Sequence, residues 1–108
     1  MSKKAESQIR EAIATDIRQS GGWAIITSGS IKTAQGTPDI IASVPCRDDS
    51  GQFYMCAIEV KTENGDLSIL QAEVLERMGK RGFAVFIPTS LRNWHTQFKN
   101  FAYRNEHG

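Results

Sequence analysis

Apolar positions recur along this chain with periods that predict seven secondary-structure elements. The helical period of 3.6 appears in three stretches, residues 5–19, 67–79 and 91–103. Shorter runs, bounded by Gly, Pro, Asp or Ser, predict four strands at residues 23–26, 39–44, 53–61 and 83–87. The order is helix, strand, a hairpin of two strands, helix, strand, helix. This order predicts an α/β fold with a mixed central sheet flanked by helices.

Two polar residues interrupt the apolar stripes of the predicted helices. The first helix has a stripe of three isoleucines, Ile9, Ile13 and Ile17. Glu6 falls within that stripe, where a carboxylate is costly unless it is paired. Glu6 is therefore predicted to be a metal ligand or part of a metal shell, or else a charge that complements the helix dipole. Gln71 lies within the stripe of the second helix, either in a capping box with Ser68 or directed at a functional site.

The third predicted strand, residues 53–61, is apolar on both faces until it ends in a charged pair. Such a strand is predicted to be central in the sheet and covered on both faces. Glu59 and Lys61 are two residues apart, so their side chains leave the same face. Val60 is predicted to point the other way, with Ile58, into apolar packing. A charged pair at the end of a buried strand needs an explanation, and a bound cation supplies one.

A third charged residue, Asp39, starts the neighbouring strand after Gly36 and Pro38. Gly36 permits a positive φ or a close backbone approach, and Pro38 favours extended backbone at the entry to the strand. Asp39 and Glu59 together supply two carboxylates that can share a hard cation beside the amine of Lys61. We interpret these three residues as a metal-binding and water-activating cluster built on a β-hairpin.

These residues resemble a known nuclease signature. Pro38-Asp39 followed by Glu59-Val60-Lys61 is similar to the PD-(D/E)XK motif. The VRR-NUC family is resembled more narrowly through Gly36-x-Pro38-Asp39, Glu59-x-Lys61, Gly65-x-Leu67-Ser68 and Gln71. Members of that family occur as stand-alone phage proteins and as the nuclease domain of a eukaryotic DNA-repair enzyme. The resemblance extends from Glu6 to about Ser90 and implies a restriction-endonuclease-like αβββαβ core, here with an extra C-terminal helix.

The resemblance implies a metal-dependent DNA endonuclease and assigns roles to named residues. Mg²⁺ or Mn²⁺ would be held by Asp39, Glu59, the Val60 carbonyl and Glu6, and no small-molecule cofactor is predicted. Lys61 would act as a base, orient water or stabilise the charged phosphate. The resemblance favours the functional-site interpretation of Gln71, which would position water or phosphate.

The resemblance also bears on the substrate and the oligomeric state. Stand-alone members resemble Holliday-junction resolvases, and a two-fold dimer presents two active sites to a symmetric four-way junction. We expect a homodimer that cuts branched DNA according to structure rather than sequence. The alternatives are a flap or single-strand-end nuclease of the same fold, a non-catalytic DNA-binding module, and an RNA nuclease.

Candidate DNA contacts come from the distribution of charge, because a net charge of +1 does not itself indicate nucleic-acid binding. Residues 77–105 contain several basic residues and no Asp or Glu. Lys80 and Arg81 are the candidates from this segment. The polar loop before Asp39 supplies three more candidates, Ser28, Ser30 and Lys32, which would contact the phosphate backbone. An ordinary solvated surface is the alternative for each of these residues.

Composition indicates one globular domain spanning residues 1–108, with 40% apolar and 23% charged residues. No apolar run approaches the ~18 residues of a membrane helix, and no signal peptide is evident. We therefore expect an intracellular protein, in phage-infected or bacterial cytoplasm, without a membrane partner. Cys46 and Cys56 lack zinc-site spacing and are predicted to be reduced structural thiols. Trp94 is predicted to be core or a dimer contact, and residues 105–108 are expected to be frayed.

Overall fold

The computed structural model describes residues 2–27 and 34–108. They form helices α1 (Ser2–Gln19), α2 (Ile69–Lys80) and α3 (Leu91–His107), and strands β1 (Trp23–Ile26), β2 (Ile40–Pro45), β3 (Phe53–Ile58) and β4 (Ala84–Phe86). The strands make one sheet in the order β1-β2-β3-β4. The first two pairings are antiparallel and the third is parallel. The predicted α/β architecture with a mixed sheet and an extra C-terminal helix is confirmed.

The main core lies between the sheet and the helices α1 and α3. The isoleucine stripe of α1 faces this layer, with Ile13 and Ile17 almost fully buried. Ile58 and Val60 are also buried here, as predicted from the alternation of β3. Trp94 belongs to the same layer and contacts the Phe86 ring edge-on at 5.2 Å, so its predicted place in the core is confirmed. Among the described helices, none has the length and apolar content needed to cross a bilayer.

The opposite face of the sheet is covered only in part. α2 packs on the β4 side, because the connection from β3 to its parallel neighbour β4 carries the helix there. Phe53 and Met55 of β3 remain 52% and 50% exposed, and Trp23 and Ile25 of β1 are 59% and 45% exposed. The prediction that β3 is central is confirmed, but the prediction that both its faces are covered is wrong.

The C-terminal residues are ordered into α3, which corrects the expectation that residues 105–108 are frayed. α3 continues to His107 because Glu106 binds the β2–β3 hairpin. Its carboxylate accepts hydrogen bonds from the backbone N–H groups of Arg47 and Asp48, at 3.0 and 2.8 Å. The Tyr54 hydroxyl donates a third bond at 2.7 Å. These contacts offset the entropy that the last helical turn loses on ordering.

Gly36 is required where the segment before β2 meets α2, and we expect Gly36→Ala to destabilise the fold by about 3 kcal/mol. Its φ is +84°, and a Cβ would lie 2.8 Å from Leu70 Cγ and 3.0 Å from Val74 Cγ2. Gly51→Ala is the matched control, because Gly51 has φ +78° and none of the described residues lies within 4 Å of a Cβ there. The control should lose only about 1–2 kcal/mol. If urea unfolding shows equal losses of stability in Gly36→Ala and Gly51→Ala, then crowding of the added Cβ against α2 does not contribute to the loss.

Candidate active site

The register of the β2–β3 hairpin brings Asp39 and Glu59 together. Ile40 pairs with Ile58, so the residue before β2 lies opposite the residue after β3. Backbone hydrogen bonds keep the chain extended beyond β3, with Glu59 N–H donating to the Phe86 carbonyl at 3.0 Å. Two residues later, Lys61 N–H donates to the Pro88 carbonyl at 3.1 Å. The predicted clustering of Asp39, Glu59 and Lys61 on the hairpin is therefore observed.

Contacts from three elements position Asp39. Its Oδ2 accepts a hydrogen bond from the Val60 N–H at 2.9 Å, across the hairpin. Its Oδ1 lies 4.0 Å from Arg10 Nη1 on α1. Its backbone carbonyl accepts from Thr27 N–H at 2.8 Å, while the Thr27 hydroxyl donates to the Pro38 carbonyl. The carboxylate is thus fixed at the sheet end with one oxygen facing α1.

Glu59 is the buried centre of the site, with only 2% of its surface exposed. Its Oε2 accepts a hydrogen bond from Gln71 Nε2 at 3.0 Å and lies 3.7 Å from Lys61 Nζ. Its Oε1 is buried and has no hydrogen-bond partner among the described residues. A buried carboxylate oxygen without a partner is costly in a folded protein. This oxygen is therefore a candidate ligand for a cation.

Burial raises the pKa of both carboxyl groups. The pKa of Glu59 rises from 4.5 to about 7, first through burial and then through the negative charge of Asp39, against a smaller opposing effect of Lys61. Burial also raises the pKa of Asp39, opposed mainly by the hydrogen bond from Val60 and by the charge of Arg10. With Glu59 buried beside the partly buried Asp39, full ionisation of the pair is unfavourable unless a cation joins the two carboxyl groups.

The donor set fits a hard divalent cation. Asp39 and Glu59 offer carboxylate oxygens, which Mg²⁺ and Mn²⁺ prefer, and Glu59 Oε1 has no hydrogen-bond partner within residues 2–27 and 34–108. Glu6 is close enough that its charge raises the pKa of Asp39. The described residues nevertheless contain no group of three or more His, Cys, Asp or Glu side chains arranged to hold a metal. The roles of Glu6 and the Val60 carbonyl as ligands stay predictions.

Gln71 forms the capping box with Ser68 and also contacts the candidate site. Ser68 is the N-cap of α2, and its hydroxyl accepts from Gln71 N–H at 3.0 Å while Gln71 Oε1 accepts from Ser68 N–H at 2.9 Å. The capping box therefore holds the amide oxygen. The same geometry leaves Nε2 to donate to Glu59, so the cap fixes the orientation of the amide in the site.

Arg10 is a site residue that the sequence interpretation missed. It lies 4.0 Å from Asp39 with a side chain only 18% exposed. The signal was present, because Arg10 follows Glu6 by four residues and such residues share one side of a helix. Placing Glu6 at the site therefore implied Arg10 as well.

The two candidate DNA contacts that the structure describes, Lys80 and Arg81, lie away from this site. Lys80 and Arg81 lie at the end of α2, with Lys80 paired to Glu76 at 3.8 Å and Arg81 bonded to the Arg77 carbonyl at 3.2 Å. The helix rise places them about 14 Å from Gln71. Ser28, Ser30 and Lys32 lie outside the described residues. DNA contact by any of the five stays a prediction.

Comparison with known proteins addresses the fold. No family model matches the sequence, and no curated protein matches it. A solved structure described as a VRR_NUC domain is similar to this chain with a TM-score of 0.68 and 24% sequence identity. The alignment covers 88% of this chain and 95% of that one. The chain therefore has the VRR-NUC fold, as the motif resemblance implied.

Proposed function

We propose that this chain, which has the VRR-NUC fold, is a metal-dependent endonuclease that hydrolyses phosphodiester bonds in branched DNA. One observation carries the proposal above the others. Glu59 Oε1 is buried next to Asp39 and has no hydrogen-bond partner in the part of the chain that the structure describes, while an amine and an amide hold the other oxygen of the same carboxylate. This arrangement lowers the stability of the fold, and unfavourable arrangements of this kind are typical of functional sites.

Asp39 and Glu59 would hold Mg²⁺ or Mn²⁺, with the Val60 carbonyl and Glu6 as further ligands. The ion supplies a water of lowered pKa and positive charge beside the scissile phosphate. Asp39 is well suited to the role, because the Val60 N–H holds one of its oxygens and leaves Oδ1 directed away from the hairpin. The protein thus fixes the donor atoms before a ligand arrives.

Lys61 and Gln71 would act on the reacting groups. The Lys61 side chain is 16% exposed, so the amine can reach a phosphate at the mouth of the site while it stays near Glu59. A cationic donor there would stabilise the charge that develops on the phosphate oxygens. Gln71, held by its capping box, would position a water or a phosphate oxygen through Nε2.

The proposed substrate is a four-way DNA junction, and the proposed active form is a homodimer. A domain of 108 residues offers little surface for gripping a junction. Two copies related by a two-fold axis would present two sites to the two strands that must be cut. Phosphate-directed residues such as Lys80 and Arg81 would position the DNA without identifying its bases.

A cleavage panel tests this proposal. Four-way, flap, single-stranded and plain duplex DNA are incubated with the protein in Mg²⁺, in Mn²⁺ and in EDTA. We expect metal-dependent cutting that is strongest on the four-way junction and unchanged when its sequence is scrambled at constant shape. Preferred cutting of flaps would support the flap nuclease instead. DNA binding without cutting of any substrate would support a non-catalytic module and contradict the proposal.

A further inference from the structure

One face of the sheet carries a group of half-exposed apolar side chains, which we call the open face: Trp23, Ile25, Phe53 and Met55. The strand register places them together. Trp23 and Met55 lie on either side of Ser43 in one row, and Ile25 shares the adjacent row with Ile41 and Ala57. Apolar patches of this kind on soluble proteins commonly mark interaction sites.

Side chains of the same chain already bind backbone groups at both edges of the sheet. Beside β1, Arg18 Nη2 donates to the Ala24 carbonyl at 2.9 Å. Beyond β4, the Gln97 amide binds both backbone groups of Ile87, donating to the carbonyl and accepting from the N–H, each at 3.2 Å. Such contacts discourage the pairing of a further strand. A partner is therefore better accommodated on the open face than at an edge.

We infer that a second copy of this chain docks on the open face around a two-fold axis. The inference rests on the dimer of the proposed function and names the surface that forms it. Half-exposed aromatic and long apolar side chains each present roughly 100 Å². The four together approach the roughly 450–500 Å² of apolar surface that one partner contributes to a standard interface of about 800 Å² a side.

Charge favours a second copy over nucleic acid as the occupant. The strand residues that share this face are uncharged, with Ser43 as their polar member. DNA binding requires cationic groups against phosphates, and this face supplies none from β1–β4. An apolar, uncharged surface is complementary to itself, as a two-fold interface requires.

The centre of the open face and the active site lie apart along the strands. Asp39 lies four residues along β2 from Ser43, roughly 13 Å at the rise of a strand. Contacts centred on Trp23 and Met55 would therefore have their centre beside the site. Substitutions on the open face change the association of the chains without touching Asp39, Glu59 or Lys61.

Analytical sedimentation between 1 and 100 μM tests the inference. We expect the unaltered chain to be a dimer, and Trp23→Glu and Met55→Glu each to weaken association at least about thirtyfold, as for central interface residues. Trp23→Thr and Met55→Thr keep strand propensity and provide milder versions if the charged variants unfold. Tyr103→Glu is the matched control, because Tyr103 is an exposed aromatic residue on α3, across the sheet from the open face.

The outcomes separate this inference from the proposed function. A dimer that all four open-face variants leave intact, or that Tyr103→Glu disrupts equally, would overturn the assignment of the surface. An unaltered chain that is monomeric at 100 μM would overturn the dimer together with its surface. Neither result concerns the chemistry of the site, which fails only if the cleavage panel shows no metal-dependent cutting.

Discussion

Lys61→Ala is expected to reduce DNA cleavage by about 10²–10⁴-fold while metal binding is retained. The substitution removes the amine 3.7 Å from Glu59 Oε2 but leaves the oxygens of Asp39 and Glu59 in place. Loss of a competing cation beside the carboxylate should keep metal affinity equal or make it higher. Single-turnover cleavage of the preferred substrate and calorimetry with Mn²⁺ measure the two effects separately.

Asp39→Asn provides the matched comparison. Asparagine keeps an oxygen for the Val60 N–H, so the hairpin contact survives while the anionic donor is lost. This variant should lose both cleavage and metal binding, in contrast to Lys61→Ala. Thermal unfolding of both variants checks that the domain is intact. Undiminished cutting by either variant would contradict the assignment of the site, and equal metal affinity in Asp39→Asn would remove Asp39 from the ligand set.

The sequence predicted the parts of the site that depend on local periodicity. The spacing of Glu59 and Lys61 fixes a shared direction wherever the strand forms, and the hairpin fixes which residue lies opposite. The position of Gln71 in the α2 stripe likewise indicated that its side chain points inward. Each of these predictions requires only the side-chain periodicity of one helix or strand, or the pairing of two strands across a short turn.

Two predictions that depend on the packing of distant elements were wrong. Phe53 and Met55 have the pattern of covered residues, but α2, the helix on their side of the sheet, lies over β4. The last turn of α3 forms because Glu106 meets a hairpin turn 58 positions earlier, at Asp48, which no local pattern reveals. Propensity and periodicity describe one element at a time, and these contacts depend on where other elements lie.

The burial of Glu59 should make the metal-free protein less stable as the pH rises. The pKa of Glu59 is about 7 in the folded state and 4.5 ordinarily, so the folded protein holds a proton between these values that the unfolded chain has released. Stability therefore falls as the pH increases from about 4.5 to 7 and stays low above that range. The full effect is on the order of 3 kcal/mol.

Glu59→Gln is expected to remove this dependence, raising the free energy of unfolding at pH 8 by on the order of 3 kcal/mol while changing it little at pH 4.5. Urea unfolding in EDTA between pH 4.5 and 8 measures this difference in the free energy of unfolding. The exposed Glu11→Gln is a control that should follow the unaltered chain.

Addition of Mg²⁺ should stabilise the unaltered chain more at pH 8 than at pH 6, because binding requires the ionised carboxylates, and should not stabilise Glu59→Gln. If Glu59→Gln is no more stable than the unaltered chain at pH 8, then burial of the ionised Glu59 does not destabilise the fold. The strongest physical reason for placing a cation beside Glu59 would then be lost.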